Sequence, residues 1–512
     1  MSINKPAIWQ LSGHVLAGMV ASLCLPPFGL VPLIAVLSWP ALGIARARSS
    51  LSAARIGAAA GFGWFLASTW WISLSLFASN EGYWPVLPFA VFGIPALLML
   101  FWIPAALLAR RFGVYPASRL VWFLGLLTLC EWGRGYIATG FPWNAPGYLF
   151  SAHISLLQSA SVLGLFGLTL VALAFALVPA FWVVGWRKSA AVILLVLPLM
   201  AVAGHIRLTD LPASEGASEA NRPKWVRLVQ PMVAQDEKWN KQRRPEHLAT
   251  LQSLSRDSMP VPKLVIWPES AFAGLLNDEA DLLSETVWST LPFDGWLISG
   301  VPRLDSQSRL FNSAALIRAN GKIEMLYDKR RLVPFGEFVP FRDFLPFADI
   351  IAGPTDFSAG AKNAIFSVSG YGRIQMLICY EAIFPGVAAG PGPRPDILVN
   401  ITNDGWFGDS PGPWQHLAQA RMRAVEEGIP MVRVANTGVS AAFDGAGRQL
   451  AMIGLGEQGF VDVDIPPPLG VTIYAELRQL ILILILFFML IIIASLDRRS
   501  VLRQKKCALL EN

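Results

Sequence analysis

Three segments of the chain set a reactive side chain at the end of an apolar run. Val265-Ile266-Trp267-Pro268-Glu269 delivers a carboxylate, Tyr327-Asp328-Lys329 an ammonium, and Met376-Leu377-Ile378-Cys379 a thiol. The end of a strand is where a scaffold presents a side chain rigidly to a cleft. The three types together suit acyl transfer. A thiol attacks an ester carbonyl only as the thiolate. Glu269 can accept its proton and later manage the proton of an incoming amine. Lys329 supplies positive charge where the tetrahedral oxyanion develops, with the Tyr380 N–H as a second donor. No histidine is needed. Each residue alone has an ordinary reading: a cysteine in an apolar strand packs as a small hydrophobe, a Glu after Trp-Pro caps a turn, and a Lys beside two Arg is a solvated cluster. It is the set, each member in its own context, that points to covalent catalysis.

These residues need a scaffold, and the segment 207–471 reads as one. It opens with the polar linker Ser214–Glu219 and closes at Pro466-Pro467-Pro468. Between them lie β-rich runs at Val226–Val229, Leu264–Trp267, Trp296–Val301, Ser313–Ile317, Ile374–Cys379, Ile397–Ile401, Met431–Val434 and Val439–Phe443. Helical patterns intervene, notably Trp414–Glu427. Strands alternating with helices predict one α/β or α+β domain.

The rest of the chain is of another kind. Of 512 residues, 54% are hydrophobic and only 15% charged, against about a quarter charged in soluble proteins, and the mean hydropathy is +0.49. Runs long enough to span a bilayer fall near 10–26, 29–45, 54–77, 84–108, 119–138, 156–186 and 189–206, with an eighth at Leu480–Leu496. Basic residues cluster in alternate loops: Arg46, Arg48 and Arg55; Arg110, Arg111 and Arg119; Arg187 and Lys188; and the tail from Arg498 to Lys506. With about eight spans these all fall on one side, which the positive-inside rule makes cytoplasmic. Residues 207–471 then lie on the opposite side. The first span lacks a clean cleavage site after it and reads as retained. The expected divisions are 1–206 for the N-terminal transmembrane helices, 207–471 for the catalytic domain, and 472–512 for the last span and basic tail.

Several function classes lose support. The net charge of +6 follows the loop pattern rather than a basic, aromatic-interleaved helix, so no nucleic-acid partner is expected. The four cysteines (Cys24, Cys130, Cys379, Cys507) form no CxxC, and the five histidines no HxH or HxxxH; neither a disulfide framework nor a metal site is expected. The spans show no paired buried charges of the kind a transporter uses.

The domain resembles the nitrilase superfamily, whose members share a Glu, Lys, Cys triad in this chain order. The whole chain resembles the apolipoprotein N-acyltransferase family through Trp267-Pro268-Glu269-Ser270, Lys329 through Pro340, and Cys379-Tyr380-Glu381. It does so also through Asn403–Gly408 with Gly412–His416, Arg421–Ala424, and Asn436-Thr437-Gly438. The resemblance implies a nitrilase-like α-β-β-α sandwich joined to a polytopic α-helical membrane domain. It implies catalytic Glu269, Lys329 and Cys379. It assigns supporting roles to Glu337 (orienting Lys329 or accepting a proton), Tyr380 and Glu381 (shaping the nucleophile's pocket), Trp239 (holding substrate) and Asn312 (lining the site). Trp406, Phe407 and Trp414 suit a flap at the bilayer interface, though Trp414 fits a core equally well. The implied donor is a phospholipid, typically phosphatidylethanolamine, and the implied acceptor the α-amine of an S-diacylglyceryl-cysteine lipoprotein. Both sit in membrane lipid, at the periplasmic face of a bacterial inner membrane. No metal or organic cofactor is implied. A membrane-tethered amidohydrolase using water as acceptor would need the same triad.

Overall fold

The structure, a computed structural model, describes residues 5–78, 84–211, 224–340, 342–344, 355–361, 365–388 and 392–510. The chain separates into two compact units. One comprises residues 1–73, 84–210 and 476–512, the other residues 74–83 and 211–475.

The first unit is helical. Apolar residues without a period-2 pattern leave the backbone no partner but itself, and a helix satisfies it internally. Each apolar run read from the sequence falls on helix: Lys5–Ser22, Val31–Leu37 leading into Ser38–Arg46, Ser50–Thr69, Trp84–Phe112, Pro116–Arg134, Ala160–Ala176, Arg187–Asp210 and Leu480–Leu510. The run at 156–186 is the most broken, kinked where Gly164 takes φ +61°. Among the described residues, three helices are long and apolar enough to cross a membrane: Trp84–Phe112, Arg187–Asp210 and Leu480–Arg503. Three more apolar helices are shorter, Leu11–Ser22, Val31–Arg46 and Ala160–Ala176.

One expectation fails here. Glu131 and Arg134 are paired and buried within Pro116–Arg134. Trp102 Nε1 donates to Glu131 Oε1 at 2.9 Å, and Arg134 Nη1 donates to the Trp143 carbonyl at 2.9 Å. The spacing of three residues puts both charges on one helix face, a pairing hidden when charges are only counted against a hydropathy window.

The second unit holds two six-stranded sheets. Its strands are β1 Lys224–Gln230, β2 Leu264–Ile266, β3 Trp296–Leu304, β4 Leu310–Arg318, β5 Ile323–Asp328, β6 Ile365–Val368, β7 Gly372–Ile378, β8 Ile397–Thr402, β9 Met431–Ala435, β10 Ser440–Phe443, β11 Gln449–Ile453 and β12 Gly459–Ile465. The orders are β12-β1-β2-β3-β4-β5 and β11-β10-β9-β8-β7-β6. Each has a parallel centre (β1-β2-β3 and β7-β8-β9) and antiparallel flanks. Alternation along the strands sorts the core. Leu264 and Ile266 share one buried cluster with Ile374, Met376, Ile378, Val399 and Ile401 between the sheets. Val265 and Leu297 face outward onto the helices Arg244–Arg256 and Leu276–Trp288, and Leu377 and Leu398 onto Pro411–Glu427. With period-2 side chains covered on both faces, the unit is an α-β-β-α sandwich. All eight β-rich runs read from the sequence are strands. The Trp414–Glu427 pattern extends back to Pro411, where Ser410 Oγ caps the Gly412 N–H at 3.1 Å.

Candidate functional site

Glu269 follows β2, Lys329 follows β5 and Cys379 follows β7, so strand ends supply all three, as the sequence suggested. Gly300 on β3 lets the Glu269 strand end come close. A Cβ there would lie 2.6 Å from Glu269 Cα and 2.3 Å from Ser270 N. The Lys329 N–H donates to the Asn312 carbonyl on β4 at 2.8 Å, extending the ladder.

The polar groups form a compact network. Lys329 Nζ lies 3.2 Å from Glu269 Oε1 and 2.9 Å from Glu337 Oε1. Asn312 Nδ2 bridges the same oxygens at 2.7 and 2.9 Å. The remaining oxygens accept main-chain N–H groups: Glu269 Oε2 from Asn403 and Glu337 Oε2 from Val333, both at 2.8 Å. Lys329 is buried. Burial alone lowers its pKa, but Glu269, Glu337 and Cys379 outweigh that and hold the ammonium well above its ordinary range. It is therefore a fixed cation.

Cys379 begins the short 3₁₀ turn Cys379–Ile383 at φ +48°, a left-handed conformation that costs a non-glycine residue energy and marks functional sites. Burial pushes its thiol up to about 12. Glu269 adds to the shift, while Lys329 and a Thr402 hydrogen bond pull against it. The resting group is thus the thiol, and a sulfur in this state could attack only with a proton acceptor beside it.

Glu381 faces inward. It accepts the Ile378 N–H at 2.8 Å, the Arg330 N–H at 2.8 Å and the Tyr327 hydroxyl at 2.8 Å, which ties the Cys379 turn to the segment carrying Lys329. Tyr380 is buried against Phe384, with ring centroids 5.1 Å apart. Trp239 is 49% exposed and Trp406 40% exposed. Phe407 is half-buried, edge-on to His416 at 6.5 Å. Trp414 packs on the outer core of the second sheet, the core option for that residue.

Two features went unassigned at the level of sequence. Behind Cys379, His416 Nε2 donates to the Cys379 carbonyl at 3.1 Å and Asn400 Nδ2 donates to it at 3.3 Å. His416 Nδ1 lies 2.9 Å from Asp404 Oδ1, and Arg433 reaches Asp404 Oδ2 and Asn400 Oδ1, both at 2.5 Å. Burial pushes the Asp404 carboxyl up, but Arg433 and His416 prevail and hold it far below the usual carboxylate range. Gly438 makes room, since a Cβ there would come within 2.5 Å of Asp404 Oδ2. Second, Lys238 is buried and its Nζ donates to the Glu269 carbonyl at 2.9 Å. Asp404 and His416 lie in quoted motifs, and Lys238 precedes Trp239. No spacing rule brings residues from five segments together.

Donor atoms of Cys379, Asp404 and His416 lie within 4.8 Å of one another. Both His416 nitrogens are nevertheless engaged, and the Arg433 guanidinium already neutralises Asp404. The cluster reads as a hydrogen-bond network rather than a cation site.

Residues 244–474 match the carbon-nitrogen hydrolase family, and residues 17–178 match the apolipoprotein N-acyltransferase N-terminal domain. The chain is 38% identical to the apolipoprotein N-acyltransferase of Bradyrhizobium diazoefficiens over 493 residues, covering 90% of each chain. It is 37% identical to that of Rhodopseudomonas palustris over 495 residues, covering 91% of each. It is 35% identical to that of Brucella melitensis over 476 residues, covering 88% of this chain and 89% of the relative. Among solved structures, a CN-hydrolase superfamily protein of Xanthomonas campestris aligns at 19% identity and a TM-score of 0.35, over 47% of this chain and 91% of that one. An amidase from Nesterenkonia sp. aligns at 19% identity and a TM-score of 0.37, over 52% and 98%. Matched over about nine tenths of its length in these relatives, the chain belongs to the apolipoprotein N-acyltransferase family.

Proposed function

We propose that this membrane protein transfers an acyl chain from a phospholipid to the N-terminal amine of a lipoprotein's diacylglyceryl cysteine, through a thioester on Cys379. The observation that carries the reading is the joint seating of Glu269 and Glu337 on Lys329 and Asn312, electrostatically coupled to the Cys379 thiol.

The reaction runs in two halves. Glu269 takes the thiol proton, and the sulfur attacks the donor's sn-1 ester carbonyl. Lys329 and the Tyr380 N–H stabilise the oxyanion. Its collapse forms the thioester and expels the lysophospholipid, whose oxygen takes the proton from Glu269. The acceptor amine then attacks the thioester and passes its proton to Glu269. The amide forms, and the departing thiolate recovers that proton. Every proton is handled by this chain's own side chains.

The proposal also takes about eight spans, a catalytic domain over 207–471 facing the periplasm, and phosphatidylethanolamine as donor. Support comes from the loop charges and the apolar helices. Two substrates confined to one leaflet meet at lower entropic cost than in bulk. Trp239 holds substrate, and Trp406 and Phe407 line a flap at the bilayer interface.

The experiment that tests this reading supplies phosphatidylethanolamine with and without a diacylglyceryl-cysteine peptide. N-acylated peptide and lysophospholipid, formed together, support it. Free fatty acid released at the same rate with or without peptide identifies an amidohydrolase-type enzyme instead.

A further inference from the structure

Lys238 is a buried cation that the two half-reactions leave unused. It sits on the stretch between β1 and the Arg244–Arg256 helix, and that stretch is fixed in place. Asn436 holds both the N–H and the carbonyl of Val233 at 3.1 and 2.8 Å, and Asn403 Nδ2 donates to Gln235 Oε1 at 2.6 Å. Only 4% of Lys238 is exposed, and Nζ donates to the Glu269 carbonyl at 2.9 Å. The titratable groups that face it are Glu269, Cys379 and, from the neighbouring helix, His247.

Charge counting gives this lysine a purpose. Glu269 and Glu337 bring two negative charges, and Lys329, bonded to both, brings one positive charge. Asp404 is matched by Arg433, and Glu381 is held separately by N–H groups and the Tyr327 hydroxyl. Without Lys238 the Glu269–Glu337–Lys329 set stands one negative charge in excess beside a thiol that must ionise.

We infer that Lys238 is a positioning residue for acylation: its ammonium cancels the excess charge of the Glu269–Glu337 pair and so favours the Cys379 thiolate. The inference rests on Cys379 being the nucleophile. The arrangement is costly to the fold. Burial drives the Lys238 ammonium down to about 8, against the pull of Glu269 and Cys379.

The test is the pH dependence of Cys379 alkylation by iodoacetamide, on the full-length enzyme in detergent, mapped by peptide mass. In wild type the rate should rise about tenfold per pH unit up to about pH 8, and less steeply above it as Lys238 loses its proton. Lys329, held well above 10.5, produces no break in that range. Lys238→Met and Lys238→Gln should each show one uniform slope, with alkylation near neutral pH slowed roughly tenfold. Their melting temperatures should change little, since the desolvation relieved and the counter-charge lost oppose each other. Lys238→Arg should restore the rate without the break.

A Lys238→Gln profile identical to wild type would show that the side chain is only a hydrogen-bond donor, and overturns the inference. Lowered melting temperatures with an undisplaced profile would do the same. Should the variants not fold, a uniform slope in wild type overturns it alone. Acyl-enzyme formation from phospholipid, measured in parallel, separates the failures. Its absence in wild type removes the thioester reading, while the alkylation profile still reports on Lys238.

Discussion

The imidazole of His416 donates from Nε2 to the main-chain carbonyl of Cys379 at 3.1 Å, so a helix residue 37 positions along the chain grips the backbone of Cys379 rather than its thiol. Held this way, Cys379 keeps φ +48° without a glycine. His416→Ala should release the turn. A displacement of about 1 Å costs on the order of 10²-fold in rate, so single-turnover acylation should fall by that order with phospholipid binding nearly unchanged. Equal loss of binding and rate would mean that the contact merely supports the fold.

Gly300 gives Glu269 its place. A methyl at Gly300 would overlap Glu269 Cα at 2.6 Å and Pro268 O at 2.7 Å, both backbone atoms that cannot swing aside. Gly300→Ala should push the carboxylate off Lys329 and Asn312. Acyl-enzyme formation should collapse, and far-UV circular dichroism should stay native. Wild-type acylation in this variant would show that the position of Glu269 is not critical.

Asp404 sets an acid limit. Its folded-state carboxyl titrates below the ordinary 3.8. The stability it contributes is therefore complete above about pH 4 and is lost as pH falls through the folded value. Melting curves of wild type should drop on acidification through this window, and those of Asp404→Asn should be flatter there though lower at neutral pH. Parallel curves would contradict the assignment.

The flap proposed at the bilayer interface can be tested separately. With Trp406 40% exposed and Phe407 half-buried, replacing both by Ser should cost little stability, within about 1 kcal/mol. It should sharply slow acylation from bilayer vesicles while sparing detergent-dispersed phospholipid. Equal rates in the two formats would place these residues outside membrane engagement.

What the sequence disclosed follows a physical division. Strands buried on both faces, such as Leu264–Ile266 and Ile397–Thr402, read as apolar runs, and reactive residues stood at their ends. The strands that escaped notice were peripheral: Ile323–Asp328, Ile365–Val368, Gln449–Ile453 and Gly459–Ile465, whose half-exposed residues dilute the pattern. Glu269, Lys329 and Cys379 could be singled out because local context surrounds each, and each does follow a strand. Lys238 and His416 were not, because their meaning lies in what they touch: the carbonyls of Glu269 and Cys379, 31 and 37 residues away. Glu131 and Arg134 were overlooked because a single pair barely alters a hydropathy average.

The central claim is that the acyl group passes through Cys379, and intact mass spectrometry of the enzyme incubated with phospholipid alone tests it most directly. The expected result is a gain of one acyl mass, mapped to the peptide holding Cys379 and released by neutral hydroxylamine as a thioester is. Cys379→Ala and Glu269→Gln should gain none. Lys329→Ala should gain it slowly, with a barrier raised by about 2.7–4 kcal/mol if the ammonium serves as one oxyanion donor. Full transfer activity in Cys379→Ala, or an active wild type that never carries the adduct, would contradict the account and leave Cys379 a packing residue.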